Sequence, residues 1–100
     1  MGVSISCKNN VVTACIDGDI DHHTAKDIRE KVDSYIVRTS PKLLILDFKE
    51  VQFMDTSGIG LIMGRFKYMK SVNGKMKVEN IPKRLERMMK LSGIGKLGII

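Results

Sequence analysis

The chain has 100 residues, of which 43% are hydrophobic and 28% charged, and its formal net charge is +6. That length suits one domain with one modest core, and that mix belongs to a globular chain, not a disordered one. The longest apolar runs, Leu43 to Leu46 and Leu61 to Met63, are far too short to cross a bilayer, and no basic start followed by an apolar stretch marks a signal peptide. A cytoplasmic protein with no membrane partner is the expectation.

The positive charge raises the question of nucleic acid. Lys67, Lys70, Lys75, Lys77, Lys83, Arg84, Arg87 and Lys90 are spread along the chain instead of forming one dense arm. No aromatic pair recurs at a spacing that stacks bases, so solvated helix faces account for most of the excess. Direct contact with nucleic acid is not expected, and a basic module for nucleic acid or another anionic surface stands as an alternative function.

In chain order, Val3 to Lys8 and Val11 to Ile16 alternate apolar and polar residues, and Asn9-Asn10 between them reads as a hairpin turn. A two-residue loop sets Cys7 opposite Val12 and Cys15 opposite Ser4. The thiols then lie on opposite faces, so neither a disulfide nor a metal site is expected. Gly18 is predicted to break the second strand. Asp21 is predicted to cap the first helix, whose inward face reads Ala25, Ile28, Val32, Tyr35 and Ile36. Pro41 closes it.

Lys42 to Phe48 is predicted to be the central strand, because Leu43 to Leu46 is apolar on both faces. A turn is expected at Lys49-Glu50, after which Val51 to Met54 leads to Asp55-Thr56-Ser57-Gly58. A second helix follows, with Ile59, Ile62, Met63, Phe66 and Met69 or Lys70 at buried and boundary positions, ending near Ser71 to Gly74. Lys75 to Asn80 alternates as a fourth strand. Pro82 fits the first turn of a third helix, with Leu85, Met88 and Met89 inward and Ser92-Gly93 at its end. Leu97 to Ile100 is expected to be a last short strand. The predicted fold is one α/β domain, a mixed sheet of four or five strands with helices packed largely on one side.

The informative stretch is Phe53-Met54-Asp55-Thr56-Ser57-Gly58-Ile59-Gly60. Ser57 there sits at or next to a helix start, on a connection that faces solvent. Its plainest role is that of an N-cap, accepting from an amide of the first turn. The same position is one where an added phosphate has large effects: its charge is favoured by the helix dipole and opposed by Asp55 and by any acidic partner surface. Gly58, Gly60 and Gly64 superficially suggest a dinucleotide loop, but that loop belongs after the first strand of a doubly wound sheet, and here it follows the third. A Ser57, His22 and Asp21 triad has no pocket or oxyanion hole to go with it, so no catalytic residue, cofactor or metal is assigned. Ser-Gly-Ile-Gly occurs twice, at 57–60 and 92–95.

The stretch from Phe53 to Gly60 resembles the phosphorylation motif of STAS domains, the anti-sigma-factor antagonists. Gly18-Asp19-Ile20-Asp21-His22-His23-Thr24-Ala25 is similar to the corresponding segment of the sporulation branch, the SpoIIAA type, and Gly64-Arg65-Phe66-Lys67 and Leu91-Ser92-Gly93 also fit that branch. The likeness covers nearly the whole of residues 1–100. It implies a non-enzymatic binding module that, unphosphorylated, binds an anti-sigma factor serine kinase and so frees a sporulation sigma factor. Phosphorylation weakens the complex and a separate phosphatase restores it. Ser57 corresponds to the phosphoacceptor, Thr56 stands where many members have serine, and Asp55 and Asp21 correspond to acidic positions on a kinase-facing surface that Gly58 helps to shape. A stress-response antagonist with a different kinase is the related alternative. The free protein is expected to be a monomer. Members of this branch usually continue into a further C-terminal helix, so a chain ending at Ile100 is expected to be shortened or to dispense with it. The basic balance exceeds the family's usual one.

Overall fold

The computed structural model describes residues 2–100. The chain opens with a hairpin of β1 (Val3–Lys8) and β2 (Val11–Ile20). Asn9 and Asn10 both take positive φ, 53° and 65°, as a two-residue turn matched to the strand twist requires and as asparagine tolerates. The register is the expected one, with Cys7 opposite Val12 and Cys15 opposite Ser4. Both thiols are free. Burial, reinforced by the Asp47 carboxylate, raises the pKa of Cys15 and keeps it in the unreactive protonated form.

After the hairpin come α1 (Thr24–Thr39), β3 (Leu43–Met54), α2 (Thr56–Ser71), β4 (Lys75–Glu79) and α3 (Lys83–Leu91). The sheet order is β1-β2-β3-β4, with β1 antiparallel to β2 and β3 parallel to both β2 and β4. Parallel neighbours need long crossovers, which α1 and α2 supply. The inward residues of α1 are Ile28, Val32 and Ile36, and Ser40, at φ 46°, closes the helix before Pro41.

The core lies between one face of the sheet and the helices. Val12, Ala14, Ile16, Leu44, Leu46 and Phe48 are fully buried there and meet Ile28, Val32, Ile62, Met69 and Met89. On the other face Thr13, Cys15, Leu43 and Ile45 are half-buried and Lys77 is exposed. β3 is therefore central, as its apolar run predicts, but only one of its faces is covered. Short alternating flanking strands leave no apolar surface for a second helical layer to bury.

Four boundaries differ from the sequence reading. Gly18, at φ 84°, lies inside β2 and does not end it. The turn expected at Lys49-Glu50 is an irregularity within a continuous β3: Cys15 pairs with Asp47 but Asp17 pairs with Glu50, and a second shift falls between Gly18 and Asp19. Asp47 supports the first shift by accepting from the Lys49 amide at 2.9 Å and from Asn80 Nδ2 at 3.1 Å. The last segment is a 3-10 turn over Ile94–Leu97 bounded by left-handed Gly93 and Gly98, so the expected fifth strand does not form. A single bond, Val78 N–H to the Ile99 carbonyl at 2.7 Å, ties it to β4. Pro82 stands one residue ahead of α3 as its N-cap.

Gly58 lets α2 approach the sheet. A Cβ there would run into Cγ and Sδ of Met54, with Ile20 Cγ2 3.4 Å away. Met54 is 1% exposed and has little room to move. Gly58→Ala is expected to cost about 1–3 kcal/mol in a denaturant titration, as overpacked cores do. A loss below about 0.5 kcal/mol, the scatter of ordinary surface changes, would show that Met54 yields freely.

Candidate functional site

β2 and β3 finish side by side, Ile20 paired with Met54, and their following turns carry the acidic residues. The Asp55 N–H donates to the Ile20 carbonyl at 3.1 Å, which fixes the chain as it leaves the sheet. Asp55 keeps extended backbone angles and is the N-cap of α2, its Oδ1 accepting from the Ser57 amide at 2.8 Å. The same oxygen accepts a hydrogen bond from the Ser57 hydroxyl. The plain role expected for Ser57 thus belongs to Asp55: Ser57 is the second helical residue, and its hydroxyl is a donor held by the cap. A serine two places inside a helix, behind an aspartate, is outcompeted because the carboxylate is the stronger acceptor for helix-terminal amides.

Asp21 shapes the neighbouring turn. Its Oδ1 accepts from the amides of His23 at 2.9 Å and Thr24 at 3.0 Å, and Thr24 Oγ1 in turn accepts from the Asp21 amide at 3.0 Å and donates to the Asp19 carbonyl at 2.9 Å. Asp21 therefore organises the turn ahead of α1, which starts at Thr24, and is not itself the residue flanking the helix. The Thr24 N–H above all, aided by the His23 N–H, holds the Asp21 carboxyl below its ordinary pKa. His22 and His23 are exposed, with ring centroids 4.0 Å apart.

The structure places Asp21, Asp55, Thr56 and Ser57 at the C-terminal end of β2 and β3. Thr56 is exposed, Asp21, Asp55 and Ser57 are half-buried, and Gly58 is buried. Gly58 shapes the surface only through the close approach it allows. Ser57 opens onto a groove of about 460 Å³ between the start of α1 and the first half of α2, lined also by His22, Lys26, Arg29, Gly60 and Arg65. Outside that groove Phe53 and Leu91 are 54% and 77% exposed.

Two arginines near the site make tertiary contacts that hold the elements around it together. Arg65 is 6% exposed and its Nε lies 2.8 Å from Asp33 Oδ1 on α1 without the alignment of a hydrogen bond. Burial lowers the Arg65 pKa and raises that of Asp33, each offset in part by the other's charge. The i, i+4 spacing of Leu61, Arg65 and Met69 on α2's inner side was the available signal. Arg84, on α3, donates from Nε to the Gln52 carbonyl at 3.0 Å and from its guanidinium to that of Val51 at 2.8 Å, tying α3 to the irregular half of β3. Nothing in the sequence marks that contact.

Among the described residues no group of three or more His, Cys, Asp and Glu side chains gathers to hold a metal ion, and no helix is long and apolar enough to cross a membrane. What the arrangement offers chemically is one accessible hydroxyl, oriented by a carboxylate at the positive end of a helix.

Residues 3–98 match the STAS domain family. An anti-sigma F factor antagonist of Paenibacillus polymyxa is 34% identical over 87 residues, 87% of this chain and 74% of that protein. An anti-sigma-B factor antagonist of Bacillus subtilis (strain 168) is 31% identical over 94 residues, 94% of this chain and 84% of that one. The structure of the anti-sigma factor antagonist SpoIIAA in its unphosphorylated form is similar with a TM-score of 0.84 and 27% identity, over 94% of this chain and 83% of that one. The phosphorylated form of Bacillus SpoIIAA gives a TM-score of 0.76 at 27% identity, over 94% of this chain and 86% of that one.

Two outcomes test the capping scheme. Asp55→Ala should lower unfolding stability by about 1 kcal/mol, the usual value of an N-cap, as read by chemical denaturation. Asp21, whose folded pKa is depressed, contributes stability that is present above its unfolded value near 3.8 and is lost as pH falls through the lower folded value. Asp21→Asn should therefore flatten the acid limb of a thermal-melting profile below about pH 4. An unchanged acid limb would remove Asp21 from the account.

Proposed function

The chain belongs to the STAS domain family, and from that membership we propose that it is an anti-sigma factor antagonist switched by phosphorylation of Ser57. In its unphosphorylated form it docks on an anti-sigma factor that is also a serine kinase, and the docked complex frees the sigma factor. The supporting observation is the Ser57 hydroxyl, held by Asp55 at the mouth of α2 and open to a groove instead of sealed in the core. Asp21, Asp55 and Thr56 surround it on the kinase-facing surface.

The switching step is a phosphoryl transfer. Ser57 Oγ forms a bond to the γ-phosphorus of the kinase's ATP, the bond to the bridging oxygen breaks, ADP leaves, and the hydroxyl proton passes to a base on the kinase. The product carries about −1.5 to −2 additional charge at pH 7, placed beside Asp55 and against the docked partner. A phosphatase reverses the step by hydrolysis. The domain supplies the acceptor and the surface, and the kinase supplies the chemistry.

The similarity to an anti-sigma F factor antagonist and to SpoIIAA, with the Asp21-His22-His23-Thr24-Ala25 segment, favours a sporulation sigma factor. The 31% identity to an anti-sigma-B factor antagonist favours a stress-response partner as the second reading. Affinity for the two kinds of kinase, measured side by side, separates them.

Ser57→Ala should bind the kinase as the unsubstituted protein does and take up no label from ATP, whereas Ser57→Asp should weaken the complex at least about tenfold by calorimetry, the effect of roughly 1.4 kcal/mol. Ser92, in the second Ser-Gly-Ile-Gly, should stay unmodified, because its hydroxyl donates to the Met89 carbonyl at 2.6 Å where α3 closes. Labelled Ser57→Ala, or phosphate found on Ser92, would overturn the assignment.

A further inference from the structure

The groove beside Ser57 has a charge pattern that docking on a kinase leaves unused. His22 comes from the turn before α1, Lys26 and Arg29 from its first half, and Arg65 from α2, and among the described residues no acidic side chain lines the groove. Gly60 and Gly64 face open space, so nothing larger fills the floor between the two helices. Lys26 and Arg29 are exposed and take part in no ion pair among the described residues, although Glu30 and Asp33 stand one helical turn beyond them. Arg65 is almost fully buried, yet among the described residues its Nε has no aligned hydrogen-bond partner and its only ionic contact is Asp33. An excess of positive charge is thus held around an open trough that Ser57 also lines.

The present partner of that hydroxyl is unsuited to its phosphorylated state. A phosphoserine has no hydroxyl proton to donate, so the bond from Ser57 Oγ to Asp55 is lost and two anions come to face each other. Asp55 cannot withdraw without giving up the Ser57 amide it caps. The phosphate is the group free to move, and rotation about χ1 of Ser57 is the motion available to it. We propose that the phosphate on Ser57 turns away from Asp55 into the groove between α1 and α2 and is held there by Lys26 and Arg29, an intramolecular latch that stabilises the phosphorylated form. This rests on Ser57 being the acceptor.

The latch gives the switch a second component beside repulsion of the partner. With its phosphate held internally, the modified chain becomes a stable released state and not merely a poor binder. The cations also become less available to any acidic partner surface, so one modification alters both signs of charge at the site. Arg65 adds positive potential within the groove, while Asp21, Asp55 and, beside Arg65, Asp33 oppose it.

The test uses the full chain with phosphoserine installed genetically at position 57, so that it does not depend on any kinase. Phosphorus NMR follows the second ionisation of the phosphate, which lies near pH 6 for a free phosphoserine. Cations that hold the dianion lower this value. In Lys26→Gln/Arg29→Gln it is expected to rise by at least about half a unit, roughly threefold in proton affinity. Equal values in the two proteins, or a lower one in the variant, would overturn the latch. Should the double variant fold poorly, Lys26→Gln alone is expected to move the value in the same direction. Failure of ATP labelling at Ser57 would strike the proposed function instead and leave this measurement standing as a separate result.

Discussion

The carboxylate of Asp55 joins three parts of the molecule that otherwise have no reason to meet. Its residue ends β3 with an amide bonded to Ile20, its oxygen opens α2 by taking the Ser57 amide, and the same oxygen orients the Ser57 hydroxyl. The first amides of a helix have no partners within it, and an anion placed there is favoured by the dipole as well as by the hydrogen bond. The position of the Ser57 hydroxyl is therefore tied to the end of the sheet. A hydroxyl on a free loop would have to be ordered at an entropic cost before it could be held in one place.

Where this carboxylate stands follows from the architecture. With all three helices on one face and two parallel crossovers feeding the same sheet, the ends of β2 and β3 are the natural place for side chains to converge outside the core. Open α/β sheets put their binding crevices beyond the carboxyl ends of strands for the same reason. The second face of the sheet, half-covered by Thr13, Cys15 and Ile45, lies away from that convergence. A domain of this size has one core to stabilise it, and the site uses residues at the core's edge that the packing does not need.

Elements whose signal is local were legible in the sequence. Asn9-Asn10 sets the hairpin register because so few residue pairs tolerate two left-handed conformations, and Ile28, Val32 and Ile36 mark a helix face by spacing alone. The helix-opening position of Ser57 was legible as well, but its cap was not: assigning the carboxylate of Asp55 and not the nearer hydroxyl requires knowing where the first helical turn begins. Lys49-Glu50 reads as a turn because two charged residues interrupt an apolar run, and only pairing with β2 shows the strand continuing through them. Arg65 and Arg84 were missed for a related reason. Both are long side chains whose partners, Asp33 and the carbonyls of Val51 and Gln52, are about thirty residues away and become neighbours only through tertiary packing.

The two register shifts between β2 and β3 have an effect on inheritance that neither has alone. Across the span from Cys15 to Ile20, β3 uses two more residues than β2 uses, one extra at each irregularity. Side chains alternate with a period of two, so a single extra residue would swing Phe53 inward and turn Met54 and the chain after it outward. Two restore the phase, which is why Met54 is buried beneath Gly58 while Phe53 stays in solvent. Length changes in this stretch are accordingly tolerated only in even numbers. A lineage that gained or lost one residue here would keep its sheet and lose the aim of its serine.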